Sequence, residues 1–368
     1  MASEMLYPVV PVYLKEIGFS VLLIGILEGI AEFTAGLSKG YFGKKSDESG
    51  LRLPFIKSGY FLSALSKPLM AVFIFPLWIF FVRTVDRLGK GLRTAARDAL
   101  LSQNATKETK GRVFAFHRSL DTIGAVLGPL IAVLFLSFFP GNYVSLFYYA
   151  IIPGMIAVAL IFLLKEKRVP ASTLPRGSFF SFFKYWNIAS PEYKKLVTAL
   201  LLFTLINSSD VFLLLKTKEI TGSDTTTIIA YVFYNVVFAL ASYPLGILGD
   251  RFGLKKVFSF GLVLFALVYF LFSFNLSVVF IFIAFFIYGI YAAATEGIAK
   301  AWVTNLSHNE NTATAIGFYT SGQSICALFA SIIAGLLWAA HNSSTAFLFS
   351  AVGALMVLLF MRFYVAAR

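Results

Sequence analysis

One cysteine, Cys326, and three histidines among 368 residues leave this sequence almost without soft ligands. A single thiol excludes an intramolecular disulfide. His117, His308 and His341 fall at three different predicted helix ends, so neither a metal site nor a metal cofactor is expected. Charge is scarce as well: 13% of residues are Asp, Glu, Lys or Arg, against about 25% in a soluble domain. No Gly-x-x-x-x-Gly-Lys-Ser/Thr segment occurs, which argues against a phosphate cradle and against ATP hydrolysis by this chain. The opening Met1-Ala2-Ser3-Glu4 lacks the basic and then apolar stretches of a signal peptide. No soluble-enzyme constellation is present, and the chain is not expected to be an enzyme.

What is present is apolar length. Apolar residues make up 58% of the chain, and Phe alone fills 41 positions. A helix needs about 20 mostly apolar residues to cross the ~30 Å hydrocarbon core. Closed barrels alternate apolar and polar residues in ~10-residue strands, and runs such as Val257 to Phe274 show no alternation. The pattern predicts an all-α integral membrane protein of twelve spans. The first ends near Leu14, and the next five cover Val21 to Tyr41, Pro54 to Phe73, Leu77 to Leu92, Phe114 to Phe139 and Tyr143 to Leu164. The last six cover Tyr193 to Leu215, Thr227 to Leu248, Lys256 to Phe274, Leu276 to Gly297, Ala313 to Ala339 and Thr345 to Tyr364. Met5 to Leu14 spans only about 15 Å at 1.5 Å per residue, so the first helix is expected to be truncated, with its start upstream.

The net charge of +13 is unevenly placed. Breaks after the even-numbered spans hold nearly all loop Lys and Arg, and those after the odd-numbered spans hold only Lys15, Lys216 and Lys218. The basic side is the cytoplasmic one. Both termini are therefore expected inside, in a prokaryotic inner membrane. A nucleic-acid partner would need a basic soluble face, and none is expected. Residues 1–164 read as an N-terminal helix bundle, 165–192 as a cytoplasmic central loop and 193–368 as a C-terminal bundle. Phe179 to Trp186 reads equally well as an interfacial amphipathic helix, or as the start of the seventh span or a linker.

The two halves repeat. Gly43-Lys44-Lys45-Ser46-Asp47-Glu48-Ser49-Gly50-Leu51-Arg52 matches Gly246-Ile247-Leu248-Gly249-Asp250-Arg251-Phe252-Gly253-Leu254-Lys255 at an offset of 203. The same offset pairs Arg93 and Arg97 with Glu296 and Lys300. A duplicated six-helix unit in parallel topology follows. In these loops the sequence resembles the major facilitator superfamily, whose best-known signature is Gly, then Asp, then Gly and a basic residue. The resemblance implies two six-helix bundles that work by alternating access. It implies a gating role for Gly43, Asp47, Gly50 and Arg52, and for Gly246, Asp250, Arg251, Gly253 and Lys255. Ser3 to Pro8, and Asp86-Arg87-Leu88-Gly89-Lys90-Gly91-Leu92-Arg93 followed by Arg97-Asp98-Ala99-Leu100, are similar to a prokaryotic subgroup of that superfamily. Glu48 stands where the superfamily usually has Arg, and Val85 where it usually has the arginine of the fourth helix. Gly124-Ala125-Val126-Leu127-Gly128-Pro129 resembles the antiporter signature, with Ala132-Val133 in place of its closing glycines.

Ionisable residues inside a span cost roughly 2.5–3.5 kcal/mol to insert, so they persist mainly where they face a cavity. Glu28 and Glu32 share one face of the second span at i, i+4. They read either as carriers of a proton or cationic group or as partners of Lys67 or another buried base. Ser3-Glu4 resembles Ser209-Asp210, which Asn207-Ser208 precedes, and Asn235 lies 203 residues after Glu32. Glu4, Glu28, Glu32, Asn207, Asp210 and Asn235 are thus the candidate substrate or proton ligands. Arg83, Asp86, Arg87, Arg93, Arg97, Arg118, Asp121, Glu296 and Lys300 form a candidate charge cluster that closes the cytoplasmic gate with Asp47.

The expected function is secondary transport of a small organic solute, proton-coupled and in efflux, with import or uniport as the alternative and a non-cycling receptor as a third. The expected partners are the small-molecule substrate, protons or another coupling ion, and the lipid bilayer; the expected state is a monomer. Orientation is testable first. In a Cys326→Ser background, an impermeant maleimide added outside should label Asn142→Cys and leave Ser172→Cys untouched. Labelling of Ser172→Cys from outside would invert the topology.

Overall fold

Lipid offers backbone N–H and C=O groups no partners, so each apolar run must satisfy its own as helix. The computed structural model describes residues 2–7, 9–19, 21–166, 168, 170 and 178–365, and among them no strand occurs. The first repeat supplies α1 (Ala2–Leu6), α2 (Val9–Glu16), α3 (Val21–Ser49), α4 (Leu53–Leu69), α5 (Pro76–Gln103), α6 (Lys110–Phe138), α7 (Tyr143–Tyr149) and α8 (Ile151–Phe162). A 3-10 turn at Phe179–Lys184 and α9 (Tyr185–Ile188) lead into the second. That repeat supplies α10 (Pro191–Ile206), α11 (Val211–Thr221), α12 (Asp224–Phe252), α13 (Leu254–Phe272), α14 (Val278–Asn305), α15 (Thr312–Ala340) and α16 (Ser343–Tyr364).

Eight spans among the described residues are long and apolar enough to cross a bilayer, the first being Lys110–Phe138 and the last Ser343–Tyr364. They correspond to the fifth to twelfth helices expected from sequence. Before them, α4 has 17 residues, and α5 carries Arg83, Asp86, Arg87, Lys90 and Arg93 within its apolar part; α3 is 29 residues long, and part of its side chains lies outside the described residues. Outward faces of the long helices present bulky apolar side chains, such as Leu134, Leu240 and Leu336, as lipid contact requires.

The chain forms two compact units, and each takes the beginning of one helix from the other repeat. Unit 1 comprises residues 1–100, 124–187 and 308–324, so it includes the start of α15. Its core joins α1, α2, α3, α5 and α7 through Leu6, Val10, Leu14, Leu27, Ile79 and Phe147. The segment after Ser178 is docked on this unit. Phe182 is fully buried, Lys44 Nζ donates to Ser181 Oγ at 2.7 Å, and Phe183 and Trp186 pack on Phe318.

Unit 2 comprises residues 101–123, 188–307 and 325–368, so it includes the start of α6. Its core is aromatic. Phe203, Phe265, Tyr269, Phe272, Phe285 and Phe347 are buried, and the Phe265 and Tyr269 rings stack at 4.0 Å. One element interrupts regular helix here: residues 207–210 are not helical, and they separate α10 from α11.

The repeated motif is more helical than its glycines and polar residues imply. α3 continues past Tyr41 to Ser49, and α12 past Leu248 to Phe252. Each stops where a glycine takes a left-handed backbone, Gly50 at φ +67° and Gly253 at φ +100°. A side chain is strained in that conformation, which is why glycine ends both helices.

Candidate functional site

The two motif acids do the same thing in different units. In unit 1, Asp47 is fully buried against the start of α15. Its Oδ2 accepts from the backbone N–H and the hydroxyl of Thr314, both at 2.6 Å, and its Oδ1 accepts from Ala313 N at 3.3 Å. Arg52 Nη2 lies 2.5 Å from Oδ1. In unit 2, Asp250 sits against the start of α6. Its Oδ1 accepts from Gly111 N at 2.7 Å and its Oδ2 from Arg112 N at 2.9 Å, with Arg112 Nε at 3.3 Å. The first backbone N–H groups of a helix have no partner within it and carry partial positive charge. A carboxylate there satisfies both needs at once. Each acid thus caps a helix belonging to the other repeat, and the arrangement is reciprocal. The approach is close: a Cβ on Gly43 would collide with the Ala313 carbonyl oxygen.

The remaining motif residues diverge between the copies. Glu48, in place of the usual arginine, pairs with Lys45 at 2.9 Å and Lys44 at 3.5 Å. Arg52 compensates by pairing with Asp47, and the Arg52 backbone N–H donates to Glu166 at 2.6 Å. Arg251 lies 5.3 Å from the Phe252 ring, while Lys255 donates to the Val365 carbonyl at 2.5 Å.

The residues of the candidate charge cluster are described within each unit. In unit 2, Arg118 pairs with Glu296 at 2.5 Å and with Asp121 at 3.4 Å, and Lys300 is half-buried on α14. In unit 1, Arg97 pairs with Asp98 at 3.1 Å, and Arg93 lies 4.4 Å from the Tyr60 ring. Arg83, Asp86, Arg87 and Arg93 line a cavity of about 250 Å³ inside unit 1.

Among the described residues, the cations Lys67, Arg83, Arg87, Lys90 and Arg93 line that cavity, together with the carboxylates Glu4, Glu32 and Asp86. Asp86 is the anchor of one side. It accepts from Lys67 at 2.5 Å, Ser63 at 2.7 Å and Ser66 at 3.3 Å, with Arg83 at 3.6 Å. Glu32 anchors the other, with Arg87 Nη1 at 2.7 Å and Lys90 Nζ at 4.0 Å. Of the buried bases read as partners for Glu28 and Glu32, Lys67 pairs with Asp86, and Arg87 pairs with Glu32. Glu28 is on α3, and its side chain lies outside the described residues.

Unit 2 holds a second polar centre at the break between α10 and α11. Tyr234 donates to Asp210 Oδ2 at 2.7 Å, and Asn207 Nδ2 donates to the Tyr291 hydroxyl at 2.9 Å. Tyr269 donates to the Ser208 carbonyl at 3.3 Å. The Asn207 side-chain oxygen is buried and meets no partner among the described residues. Broken helices free backbone groups for use at a site, and here tyrosines satisfy part of them. Asn235 donates to the Tyr231 carbonyl one turn back at 2.9 Å. Tyr234 and Tyr269 are not among the residues that the sequence singles out. The run Asn207-Ser208-Ser209-Asp210 is the available signal, because such residues compete with helix through local hydrogen bonds.

Long apolar helices, a duplicated sequence and charges gathered among helices define a polytopic membrane protein of the solute-carrier type. The model of the Major Facilitator Superfamily matches residues 1–231 and 200–368, and the chain belongs to that superfamily. An uncharacterised MFS-type transporter of Methanocaldococcus jannaschii is 32% identical over 358 residues, 96% of this chain and 88% of that protein. The multi-drug resistance efflux pump PmrA of Streptococcus pneumoniae is 26% identical over 132 residues, 35% of this chain and 33% of the pump. In fold, the chain is similar to the human organic anion transporter MFSD10, with a TM-score of 0.82 at 15% identity over 98% of this chain and 95% of the other. It is also similar to the Escherichia coli fucose:proton symporter FucP, at a TM-score of 0.73 and 16% identity over 99% and 95%.

The Lys67–Asp86 pair generates a stability prediction. Removing one partner of a buried pair leaves an uncompensated charge, at a cost of roughly 3–5 kcal/mol, whereas an apolar replacement of both is often neutral. Lys67→Met alone should therefore lower the unfolding temperature in detergent more than Lys67→Met with Asp86→Leu. Equal losses in single and double variants would show that the pair is not coupled.

Proposed function

We propose that this chain is a secondary transporter that moves a small organic solute by alternating access, coupled to protons and working in efflux. It sits in a prokaryotic cytoplasmic membrane with both termini inside. The observation that carries the reading is the reciprocal capping by Asp47 and Asp250. Each cap is a charge-assisted contact between one repeat and a helix of the other. Such contacts can be made in one state and released in another without unfolding either helix. Transport requires a bistable element of this kind, and a non-cycling receptor has no need of two. Efflux as the direction is supported by the multi-drug efflux pumps that match about a third of the chain. Coupling to protons is supported by Glu32 and Asp210, carboxylates held by a few named partners inside predicted spans.

One observation favours the second reading, uptake. Glu32 is held by Arg87. A proton on Glu32 would weaken that pair and favour an anionic group beside Arg87, so proton and solute would travel together.

Pyranine-loaded proteoliposomes test the proposal, with small organic solutes added outside one at a time. At least one solute should drive proton movement in the wild type. Glu28→Gln, Glu32→Gln or Asp210→Asn should abolish that movement while leaving exchange of labelled solute intact. Full proton movement in all three variants would remove these acids from the coupling. Opposite signs of proton flux separate efflux from uptake.

A further inference from the structure

We infer that residues 178–187 form a lipid-surface anchor: the segment seats its inner face on α3 and the start of α15, and lays Phe180, Phe183 and Lys184 into the headgroup region of an anionic leaflet. The inference goes beyond the transporter reading and concerns a surface outside both polar centres. It starts from the three-residue period of the 3-10 turn at Phe179–Lys184, in which side chains at i and i+3 lie one above the other. Phe182 and Tyr185 fall on one edge, and both are buried, at 0% and 1% exposure. Phe180 and Phe183 fall on another, at 56% and 40%, with their rings stacked at 6.4 Å. Lys184 follows them and is exposed as well.

The inner face is a built contact. Phe182 lies against Gly40 of α3, where a Cβ would collide with its ring. Ser181 accepts from Lys44, Phe179 stacks on Tyr41 at 4.9 Å, and Trp186 stacks on Phe318 of α15 at 5.5 Å. The segment is therefore held at the height of Tyr41, where the apolar run of the second expected span ends. That is the level of the bilayer surface. Outward aromatic rings at that level fit the boundary between headgroups and acyl chains, and a lysine beside them fits headgroup phosphate. Charge points to the sign of the leaflet: from Lys165 to Lys195 the chain has seven Lys and Arg against two Glu. A second copy of the chain is the other occupant such a face could take, and the test separates the two.

Full-length protein with Cys326→Ser and Phe180→Cys is labelled at residue 180 with an environment-sensitive fluorophore. It is placed in nanodiscs of phosphatidylcholine, alone or mixed with phosphatidylglycerol. Lipids spin-labelled near the headgroup quench from the bilayer, and acrylamide quenches from water. Both leaflets of a nanodisc have one composition, so the result does not depend on the orientation of the chain. Lipid quenching should exceed acrylamide quenching, and the ratio should rise with phosphatidylglycerol. Lys184→Gln should lower that ratio about fivefold, the effect of one lysine near an anionic surface. Phe180 and Lys184 are both exposed, so neither change disturbs the buried face. Three results would overturn the inference. Acrylamide quenching that dominates in both lipids would place the segment in water. Protection from both quenchers would mean that a second copy covers the face. Lipid quenching that ignores both phosphatidylglycerol and Lys184→Gln would make the contact apolar only and remove the headgroup from it.

Discussion

Two carboxylates at two helix starts are the contacts on which the rest of this molecule turns. Asp47 caps α15 and Asp250 caps α6, and each acid and its helix come from opposite repeats. Because of this, the compact units do not coincide with the sequence repeats: each borrows the first turns of one helix. A side-chain cap or a charge at a helix terminus is worth about 1–2 kcal/mol. Two together supply about 2–4 kcal/mol, a population factor of roughly 30 to 1,000. That is a contribution small enough for a bound ligand to offset.

The polar centres obey the same constraint from the other side. A charge among apolar helices is retained only with partners, and the first repeat meets this by pairing. Asp86 is satisfied by Lys67 and two serines, and Glu32 by Arg87. The second repeat meets it with hydroxyls, since Tyr234, Tyr269 and Tyr291 serve the unwound 207–210 segment. The two polar centres thus differ in chemistry: the unit 1 cavity is ionic, and the break before α11 is served by phenolic hydroxyls. The charges also explain why α5 reads as less apolar than the helices after it.

Much of this architecture is legible in the amino-acid sequence. The apolar runs place the starts of the later spans to within four residues, while the tenth runs on to Asn305, past the expected Gly297, and the offset of 203 exposes the duplication and both motif acids. What the acids touch is not legible, because Asp47 and Thr314 are 267 residues apart and nothing local links them. The departure at Glu48 marks a changed ion pair, but it takes the folded chain to show Arg52 in the vacated role. Glu32 stands out by its position inside a span, whereas its partner Arg87 reads as part of a gate. The break before α11 is written in four consecutive polar residues, which an apolar window averages away.

Amide hydrogen exchange at the two capped helix starts tests the central claim most directly. It compares wild type with Asp47→Asn and Asp250→Asn, following residues 111–112 and 313–314 in each. If the caps are released together in one transition, either substitution should speed exchange at both helix starts, by a factor within the range the two caps supply. Faster exchange confined to the start of α15 in Asp47→Asn, and to the start of α6 in Asp250→Asn, would mean two independent local caps and would contradict a shared transition.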